Sequence, residues 1–302
     1  MSWSAKSAAA ELDWGDSEVV VVVGPTASGK SDLALALAER TGGEIVAADS
    51  VHVYKLFDVG SSKPTEDERR RVRHHLVDVA DPREPIDAAA YAERARAAIA
   101  DVTARGRLPI VCGGTFLWVR ALLYGLAGAP PGDAETRARH AELTEKEGRA
   151  ALHAKLAQVD PESAARLNAN DFVRVSRALE VFEVSGRPLS KWQEEHGFRT
   201  ARYRAKLVGV RWPKDELARR IALRTERALA AGWIDEVESL VRLGYRDVRA
   251  MSSVGYRQVL AHVEGSLEPS ELASSIDRAT RVFARRQRTW LRDQPVAWID
   301  PA

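Results

Sequence analysis

The first residues that could do chemistry lie in a glycine-rich loop, Gly24-Pro25-Thr26-Ala27-Ser28-Gly29-Lys30-Ser31. The loop matches the phosphate-binding pattern G-x-x-x-x-G-K-[ST], in which the glycines let successive backbone N–H groups converge on a diphosphate. Lys30 adds a positive charge, and the hydroxyl of Ser31 is of the kind that binds Mg²⁺. The pattern indicates a bound phosphate but no particular reaction, because kinases, NTPases and transferases all use it.

Two further polar segments follow apolar runs. Asp49-Ser50 comes after the run 44–48, and Gly113-Gly114-Thr115 comes after the run 108–112. Asp49 could hold Mg²⁺, act as a general base near the phosphate loop, or simply cap a turn. Thr115 either presents its hydroxyl to a ligand or caps the helix that follows it. The residue types alone leave these alternatives open.

The elements that position these residues can be read from the apolar pattern. Five consecutive valines, Val19–Val23, predict a strand buried on both faces, as in the centre of a parallel sheet. A helix follows the phosphate loop and ends at Gly42-Gly43, and residues 206–211 predict a strand that returns to the sheet. In such sheets ligands bind at the carboxyl ends of the strands. We therefore predict an α/β fold with a P-loop-containing nucleotide-hydrolase-like parallel sheet core.

A break rich in Gly and Pro at residues 126–133 predicts a domain boundary. Beyond it, the segments 134–147, 149–158, 161–167 and 172–184 have the pattern of short helices. We predict a mobile N-terminal tail over 1–16, a catalytic core formed by 17–132 and 198–302, and an all-helical insertion domain over 133–197.

Several motifs together resemble the tRNA dimethylallyltransferase (isopentenyltransferase, IPP transferase) family. They are GPTASGKS at 24–31, ADSVHVY at 48–54, DVG at 58–60 with Lys63-Pro64, HLVD at 75–78, GGT at 113–115, ND at 170–171, RALE at 177–180, VGYRQ at 254–258, and RQ at 286–287 with TWLR at 289–292. The matches occur in order from about residue 18 to 292, so the resemblance covers most of the chain and is far more specific than the phosphate loop alone.

The resemblance implies transfer of a dimethylallyl group from dimethylallyl diphosphate to N6 of the adenosine on the 3′ side of the anticodon. It implies that the Gly24–Ser31 loop binds the donor diphosphate, with Mg²⁺ on Ser31. Arg224, on a predicted helix rich in arginine, is a further candidate for the donor phosphates. Asp49 would be the general base at N6, Thr115 would hydrogen-bond at the reacting centre, and Lys30 would stabilise the leaving diphosphate.

The resemblance also implies that the helical insertion holds the anticodon arm and that several segments contact the tRNA. The implied residues are Asp49, Ser50, Val51, His52, Thr115, Arg137, Val173, Arg174, Val175, Ser176, Arg177, Ser252, Gly255, Tyr256, Arg257, Arg281, Arg285 and Arg288. The family usually carries Gln at the position of His52, so base contact there could depend on pH.

The charge distribution agrees with an RNA partner. The net charge is only +2, but 36 of the 45 basic residues are arginines. Arg278, Arg281, Arg285, Arg288 and Arg292 recur at spacings of 3 and 4 with no acid between 278 and 292, so a helix would carry them as one stripe. A solvated face is the alternative.

The remaining expectations concern the cell and the competing functions. Cys112 is the sole cysteine, which excludes an intramolecular disulfide and favours a reducing cytoplasm. No apolar run suits a membrane, and we expect a monomer. The alternatives are an adenylate isopentenyltransferase acting on free AMP or ATP, a P-loop small-molecule kinase, and an ATP-dependent RNA-binding switch. The first would need neither the insertion nor the arginine stripe.

Overall fold

The computed structural model describes residues 4–301 of the chain. Its strands are β1 Val19–Val23, β2 Glu44–Ala47, β3 His74–His75, β4 Pro109–Cys112, β5 Ala205–Val210 and β6 Val296–Ile299. Its α-helices are α1 Ala5–Glu11, α2 Lys30–Thr41, α3 Glu66–Arg71, α4 Ala88–Ala104, α5 Phe116–Tyr124, α6 Ala134–Glu147, α7 Arg149–Val159, α8 Pro161–Arg166, α9 Phe172–Ser185, α10 Leu189–His196, α11 Lys214–Ala230, α12 Trp233–Arg242, α13 Tyr256–Val263 and α14 Pro269–Leu291. A short 3₁₀ helix covers Arg249–Ser252.

The six strands form one sheet in the order β3-β2-β4-β1-β5-β6, and every neighbouring pair is parallel. All five valines of β1 are buried, as expected for a strand covered by helices on both faces. The predicted α/β fold with a parallel sheet is therefore confirmed. Because all strands run in one direction, the segments that follow β1, β2 and β4 emerge at the same edge.

The N-terminal segment corrects one prediction. Residues 5–11 form α1 and not a mobile tail, and Ala9 is buried in a cluster with residues of α2. Arg40 fastens the end of α1, since its guanidinium donates to the carbonyls of Ala10 at 2.6 Å and Leu12 at 2.9 Å. The short alanine side chains of α1 allow it to pack closely against α2. The composition of this segment did not indicate that it would pack. Residues 1–3 of the predicted tail lie outside the described residues.

The chain divides into two compact units, one formed by 1–123 with 202–302 and the other by 124–201. The second unit contains the predicted helical insertion 133–197 and begins earlier, at Tyr124. It consists of α6 to α10, and Leu152, Leu156 and Val175 lie in its apolar core. Over residues 4–301, no helix is both long enough and apolar enough to cross a bilayer.

A buried carboxylate stabilises the sheet at the edge opposite the strand ends. Glu44, the first residue of β2, is 1% exposed. It pairs with Arg105, with Arg107 at 3.2 Å, and with His75, whose Nε2 lies 2.7 Å from Oε2. The hydrogen bond from Arg105 is the main cause that lowers the pKa of Glu44 to about 2, against the opposing effect of burial.

We expect Glu44→Gln to lower the free energy of unfolding at pH 7 by up to about 3 kcal/mol, since the ionised carboxylate is favoured in the folded state. A carboxyl with a depressed folded pKa stabilises the protein above its unfolded pKa. The loss should therefore shrink as the pH falls from about 4.5 to about 2. Urea unfolding at several pH values measures this. Glu39→Gln, which removes one of the two surface partners of Arg71, is the control, with an expected change below about 1 kcal/mol. Equal losses of unfolding free energy in the two variants would contradict a stabilising role for the ionised Glu44.

Candidate active site

The phosphate loop joins β1 to α2 and has the conformation that its glycines permit. Gly29 caps α2 with φ 88° and ψ 18°, a left-handed conformation that favours glycine. A Cβ on Gly24 would lie 2.6 Å from Oγ of Ser28, so the loop closes on itself too tightly for a side chain there. The indole of Trp212 donates to the Ser28 carbonyl at 2.9 Å, and Arg220 donates to the Ala27 carbonyl at 2.9 Å. Side chains from outside the loop thus hold two of its carbonyl groups in place.

Asp49 and Thr115 lie on neighbouring strand ends and are joined through Ser50. The hydroxyl oxygen of Thr115 accepts the Ser50 N–H at 3.0 Å, and the Thr115 N–H donates to the Ala48 carbonyl at 3.1 Å. A Cβ on Gly113 would lie 2.1 Å from that same carbonyl oxygen. The glycine therefore lets the segment after β4 approach the end of β2 closely enough to form these bonds.

The environment of Asp49 keeps its carboxylate ionised. Burial raises its pKa, but the imidazole of His52, the N–H of Val51 and the charge of Lys30 together lower it below its usual value. The Val51 N–H donates to Oδ1 at 2.9 Å, and the His52 N–H donates at 3.4 Å. Burial lowers the pKa of Lys30, and the negative charge of Asp49 opposes this effect. The carboxylate and the loop lysine thus influence one another electrostatically.

A loop over residues 58–62, here called the 58–62 loop, links His52 to the phosphate loop. Nε2 of His52 lies 3.0 Å from the Ser61 carbonyl oxygen. Arg224 of α11 donates to the Ser62 hydroxyl at 2.9 Å and to the Ser61 carbonyl at 3.3 Å, and it also donates to the hydroxyl of Thr26. Arg224 therefore connects the 58–62 loop with the phosphate loop, the region for which it was predicted.

The 58–62 loop is itself held by a carboxylate from α12. Glu236 accepts the N–H groups of Asp58 at 2.8 Å, Val59 at 2.7 Å and Gly60 at 3.3 Å. The phenol of Tyr256 donates to the same carboxylate at 2.7 Å. Three consecutive amides directed at one anion form a nest, and here a side chain of the protein occupies it.

Comparison with known proteins agrees with this architecture. Residues 52–294 match the family model described as IPP transferase. A tRNA dimethylallyltransferase of Sorangium cellulosum is 62% identical over 93% of this chain and 90% of its own length. The crystal structure of the full-length tRNA isopentenylpyrophosphate transferase from Bacillus halodurans is 33% identical, with a TM-score of 0.69, and the match covers 93% of this chain and 89% of that one.

This chain belongs to the IPP transferase family. A eukaryotic dimethylallyltransferase acting on tRNA, only 23% identical, shares the fold with a TM-score of 0.77 over 93% of this chain and 73% of its own. The resemblance inferred from the motifs is thereby confirmed.

In this IPP transferase the strand ends bring together most residues predicted for the reacting centre: the Gly24–Ser31 loop, Asp49, Ser50, Val51, His52, Thr115 and Arg224. Four residues predicted to contact tRNA are instead buried, among them Gly255, which lies against the ring of Trp233. Val175 and Ser176 are 0% and 3% exposed inside the helical unit, and Tyr256 is 1% exposed beneath the 58–62 loop. The side chains of Val175, Ser176 and Tyr256 pack inside the protein or bind Glu236 and His140, which corrects the expectation that these side chains lie on an RNA-facing surface. Contact of these segments with RNA stays a prediction.

The arginines predicted in the helical unit have protein partners. Arg137 and Arg177 both pair with Glu180, whose carboxylate is buried, and Arg174 pairs with Asp171 at 2.7 Å. Val173 is 75% exposed beside them. Arg137 and Arg177 therefore stabilise the buried Glu180 whatever else they bind, because an unpaired buried carboxylate is costly.

The predicted arginine stripe on α14 is exposed. Across the described part of the chain, Arg278, Arg281, Arg285, Arg286 and Arg288 form no ion pair, and all are exposed. Arg292 pairs with Asp293 at 3.4 Å. Exposed Ser252 and Arg257 flank Gly255, the residue before α13. A surface with this much uncompensated positive charge suits a polyanion.

Sequence reasoning missed the residues that hold the site from behind. Lys63 is 8% exposed and binds Asp58 at 2.5 Å and Asp78 at 2.7 Å, so it fixes the segment after β2. Lys63 and Asp78 lie in motifs that indicated the family, but the sequence analysis assigned neither of them a role. Glu236 and Trp212 belonged to no motif, and no local pattern predicts a contact across so many residues.

We expect Glu236→Ala to speed amide hydrogen exchange at Asp58 and Val59 by tenfold or more. The substitution leaves both N–H groups without an acceptor, and one such loss costs about 1–3 kcal/mol. Exchange measured by NMR or mass spectrometry reads these amides directly. Glu238→Ala on the same helix removes only a surface carboxylate, 3.7 Å from Arg242, and should leave the exchange unchanged. Unaltered protection in Glu236→Ala would show that the nest does not hold the loop.

Proposed function

We propose that this chain is a tRNA dimethylallyltransferase. It transfers the dimethylallyl group of dimethylallyl diphosphate to the exocyclic N6 of the adenosine on the 3′ side of the anticodon, and it releases diphosphate. The observation that carries the proposal is the position of Asp49, which lies close enough to Lys30 of the phosphate loop for their charges to interact and is joined to Thr115 through Ser50. The 62% identity to a tRNA dimethylallyltransferase supports it.

The proposed reaction forms a bond between N6 and C1 of the donor while the C1–O bond breaks and its electrons leave with the diphosphate. N6 is a poor nucleophile because its lone pair is delocalised into the purine ring. As the new bond forms, nitrogen becomes positive and its proton acidic. A carboxylate of lowered pKa can therefore accept the proton at Oδ1 or Oδ2 of Asp49, although it is a weak base in isolation.

The charge that develops on the leaving diphosphate is met by the phosphate loop. Lys30 and the N–H groups at the start of α2 face the negative oxygens, and the positive end of the helix dipole adds to their effect. Arg224, which binds Thr26 of this loop, adds a second cation. Thr115 would hydrogen-bond beside the bridging oxygen while its backbone keeps the end of β2 in place.

The oxygen ligands that the protein offers at this site suit Mg²⁺ only when a bound diphosphate supplies the others. In the described ranges no cluster of three His, Cys, Asp or Glu side chains could hold a metal alone. Ser31 is exposed at the first turn of α2 and offers one hydroxyl, and Mg²⁺ in nucleotide sites completes its shell with phosphate oxygens and water. When bound, Mg²⁺ would neutralise part of the diphosphate charge.

The α14 arginines are proposed to bind the tRNA backbone, because five of them are exposed and without ion pairs among residues 4–301. We further propose that the enzyme works as a monomer in the cytoplasm. Its single thiol, Cys112, is buried, and burial raises its pKa to about 11, so it is unsuited to disulfide exchange.

The test combines the protein with Mg²⁺, dimethylallyl diphosphate and an unmodified tRNA whose anticodon is followed by adenosine. Mass spectrometry should find one added dimethylallyl group per tRNA, on that adenosine. Parallel reactions contain AMP in place of tRNA, or ATP without the prenyl donor. Prenylated AMP with unmodified tRNA would favour the adenylate alternative, and donor-independent ATP turnover would favour a kinase or an RNA-binding switch.

We expect Asp49→Asn to lower kcat by about 10²–10⁴-fold, because the amide keeps the size of the side chain but cannot accept the proton. The Kd for tRNA should change by about twofold or less. Single-turnover assays and filter binding separate the two quantities. A kcat within about threefold of wild type would contradict the role of Asp49 as base.

We expect Arg285→Gln to weaken tRNA binding and to reduce the slope of log Kd against log salt by about 1, as for the loss of one phosphate contact. Arg246→Gln is the matched control, since Arg246 is exposed but already paired with Asp247 and Glu264. Equal slopes for Arg285→Gln and wild type would exclude a phosphate contact at this residue.

A further inference from the structure

Helix α14 has two faces with different chemistry. Its outer face carries the exposed arginines, whereas Leu272, Ile276, Ala284, Gln287 and Leu291 are buried on the inner face. Gln287, 4% exposed, is the polar member of this buried set. A buried amide must satisfy both its donor and its acceptor, so its partners report what it holds in place.

Gln287 binds two loops of the candidate active site at once. Its Oε1 accepts the Thr26 N–H of the phosphate loop at 2.8 Å, and its Nε2 donates to the Gly114 carbonyl at 3.0 Å. The Thr26 N–H is therefore directed at Gln287. A Cβ on Gly114 would lie 2.4 Å from Nε2, so the glycine at this position admits the amide.

A second contact of α14 supports the same connection. The ring of Trp290 stacks on Phe116 with centroids 4.4 Å apart and planes 3° apart. Phe116 directly follows Thr115, so Gln287 and Trp290 contact the chain on both sides of that threonine. Gln287 and Trp290 are three positions apart on α14, which places them on one face of the helix.

We propose that Gln287 is a positioning residue for the transfer reaction, fixing the phosphate loop against the 113–115 segment. The inference rests on the proposed function. The phosphate loop is proposed to bind the diphosphate. The 113–115 segment contains Thr115, which is hydrogen-bonded to Ala48 and Ser50 on either side of Asp49. Gln287 sets the spacing between the leaving group and the groups that act on the nucleophile, and an error of about 1 Å in such spacing can cost 10²-fold in rate.

Only a side chain with one acceptor and one donor at this length makes both bonds. Gln287→Met keeps a similar length and apolar volume and removes both, without burying a charge. Gln287→Glu keeps the acceptor for Thr26 and places an oxygen against the Gly114 carbonyl oxygen. The two variants therefore separate loss of the whole bridge from loss of its second half.

The decisive experiment is a double-mutant cycle with Thr115→Ala, using the full-length protein, tRNA and dimethylallyl diphosphate. We expect Gln287→Met to lower kcat about 10- to 100-fold, with the Kd for tRNA and its salt dependence within about twofold of wild type. If Gln287 acts through Thr115, the double variant should be at least fivefold more active than the product of the two single effects predicts. Multiplicative effects, or an unchanged kcat in folded Gln287→Met, would overturn the proposal.

Two controls protect the interpretation. Gln294→Glu, just beyond α14, tests whether a carboxylate introduced near the helix accounts for the behaviour of Gln287→Glu, and it should leave kcat unchanged. Urea unfolding of every variant checks that the folded fraction is complete.

Titration with inorganic diphosphate makes the outcome independent of the transfer assay. We expect at least threefold weaker binding in Gln287→Met than in wild type, because Gln287 holds Thr26 of the phosphate loop. If the wild-type protein prenylates no tRNA, the proposed function fails, yet weaker diphosphate binding in Gln287→Met would still support the positioning role. The positioning role would be rejected if Gln287→Met bound diphosphate as tightly as wild type and if its effect on kcat simply multiplied with that of Thr115→Ala.

Discussion

The candidate site depends on the close approach of two strand ends. The segment after β4 reaches the Ala48 carbonyl so closely that Gly113 has no room for a Cβ, which would lie 2.1 Å from the oxygen. Through this approach the Thr115 backbone and hydroxyl bind the end of β2, and Asp49 faces Lys30 across the edge of the sheet. Any side chain larger than hydrogen at Gly113 would separate the strand ends and move the proposed base from the phosphate loop.

Buried polar contacts from distant parts of the chain then fix the surrounding loops. Glu236 occupies the amide nest of the 58–62 loop, Lys63 binds Asp58 of that loop and Asp78, and Arg224 connects the loop to Thr26. These groups satisfy one another, so contacts within the protein hold both loops in place. Preorganisation of this kind lets binding energy act on the transition state and not on loop ordering.

The arginines illustrate how tertiary pairing divides residues that look alike in sequence. Arg137 and Arg177 face a buried glutamate and are needed to compensate it, whereas Arg281, Arg285 and Arg288 have no acidic partner among residues 4–301. The first group is structural in the free protein. The second leaves a positive surface whose charge is available to a polyanion, and the same helix contacts both active-site loops from its inner face.

The sequence by itself determined the parallel α/β core, the phosphate loop, the placement of Asp49 and Thr115 after two strands, and the family, because these depend on local patterns. A valine run, glycine spacing and polar residues after strands are dictated by neighbours along the chain. The tertiary structure alone decided that residues 5–11 pack as a helix, that Tyr256, Val175 and Ser176 are buried, and that Glu236 and Gln287 hold the site. Those outcomes depend on partners far away in the chain: Thr26 and Gln287 are separated by 261 positions, and no local pattern encodes which distant donor an amide will meet.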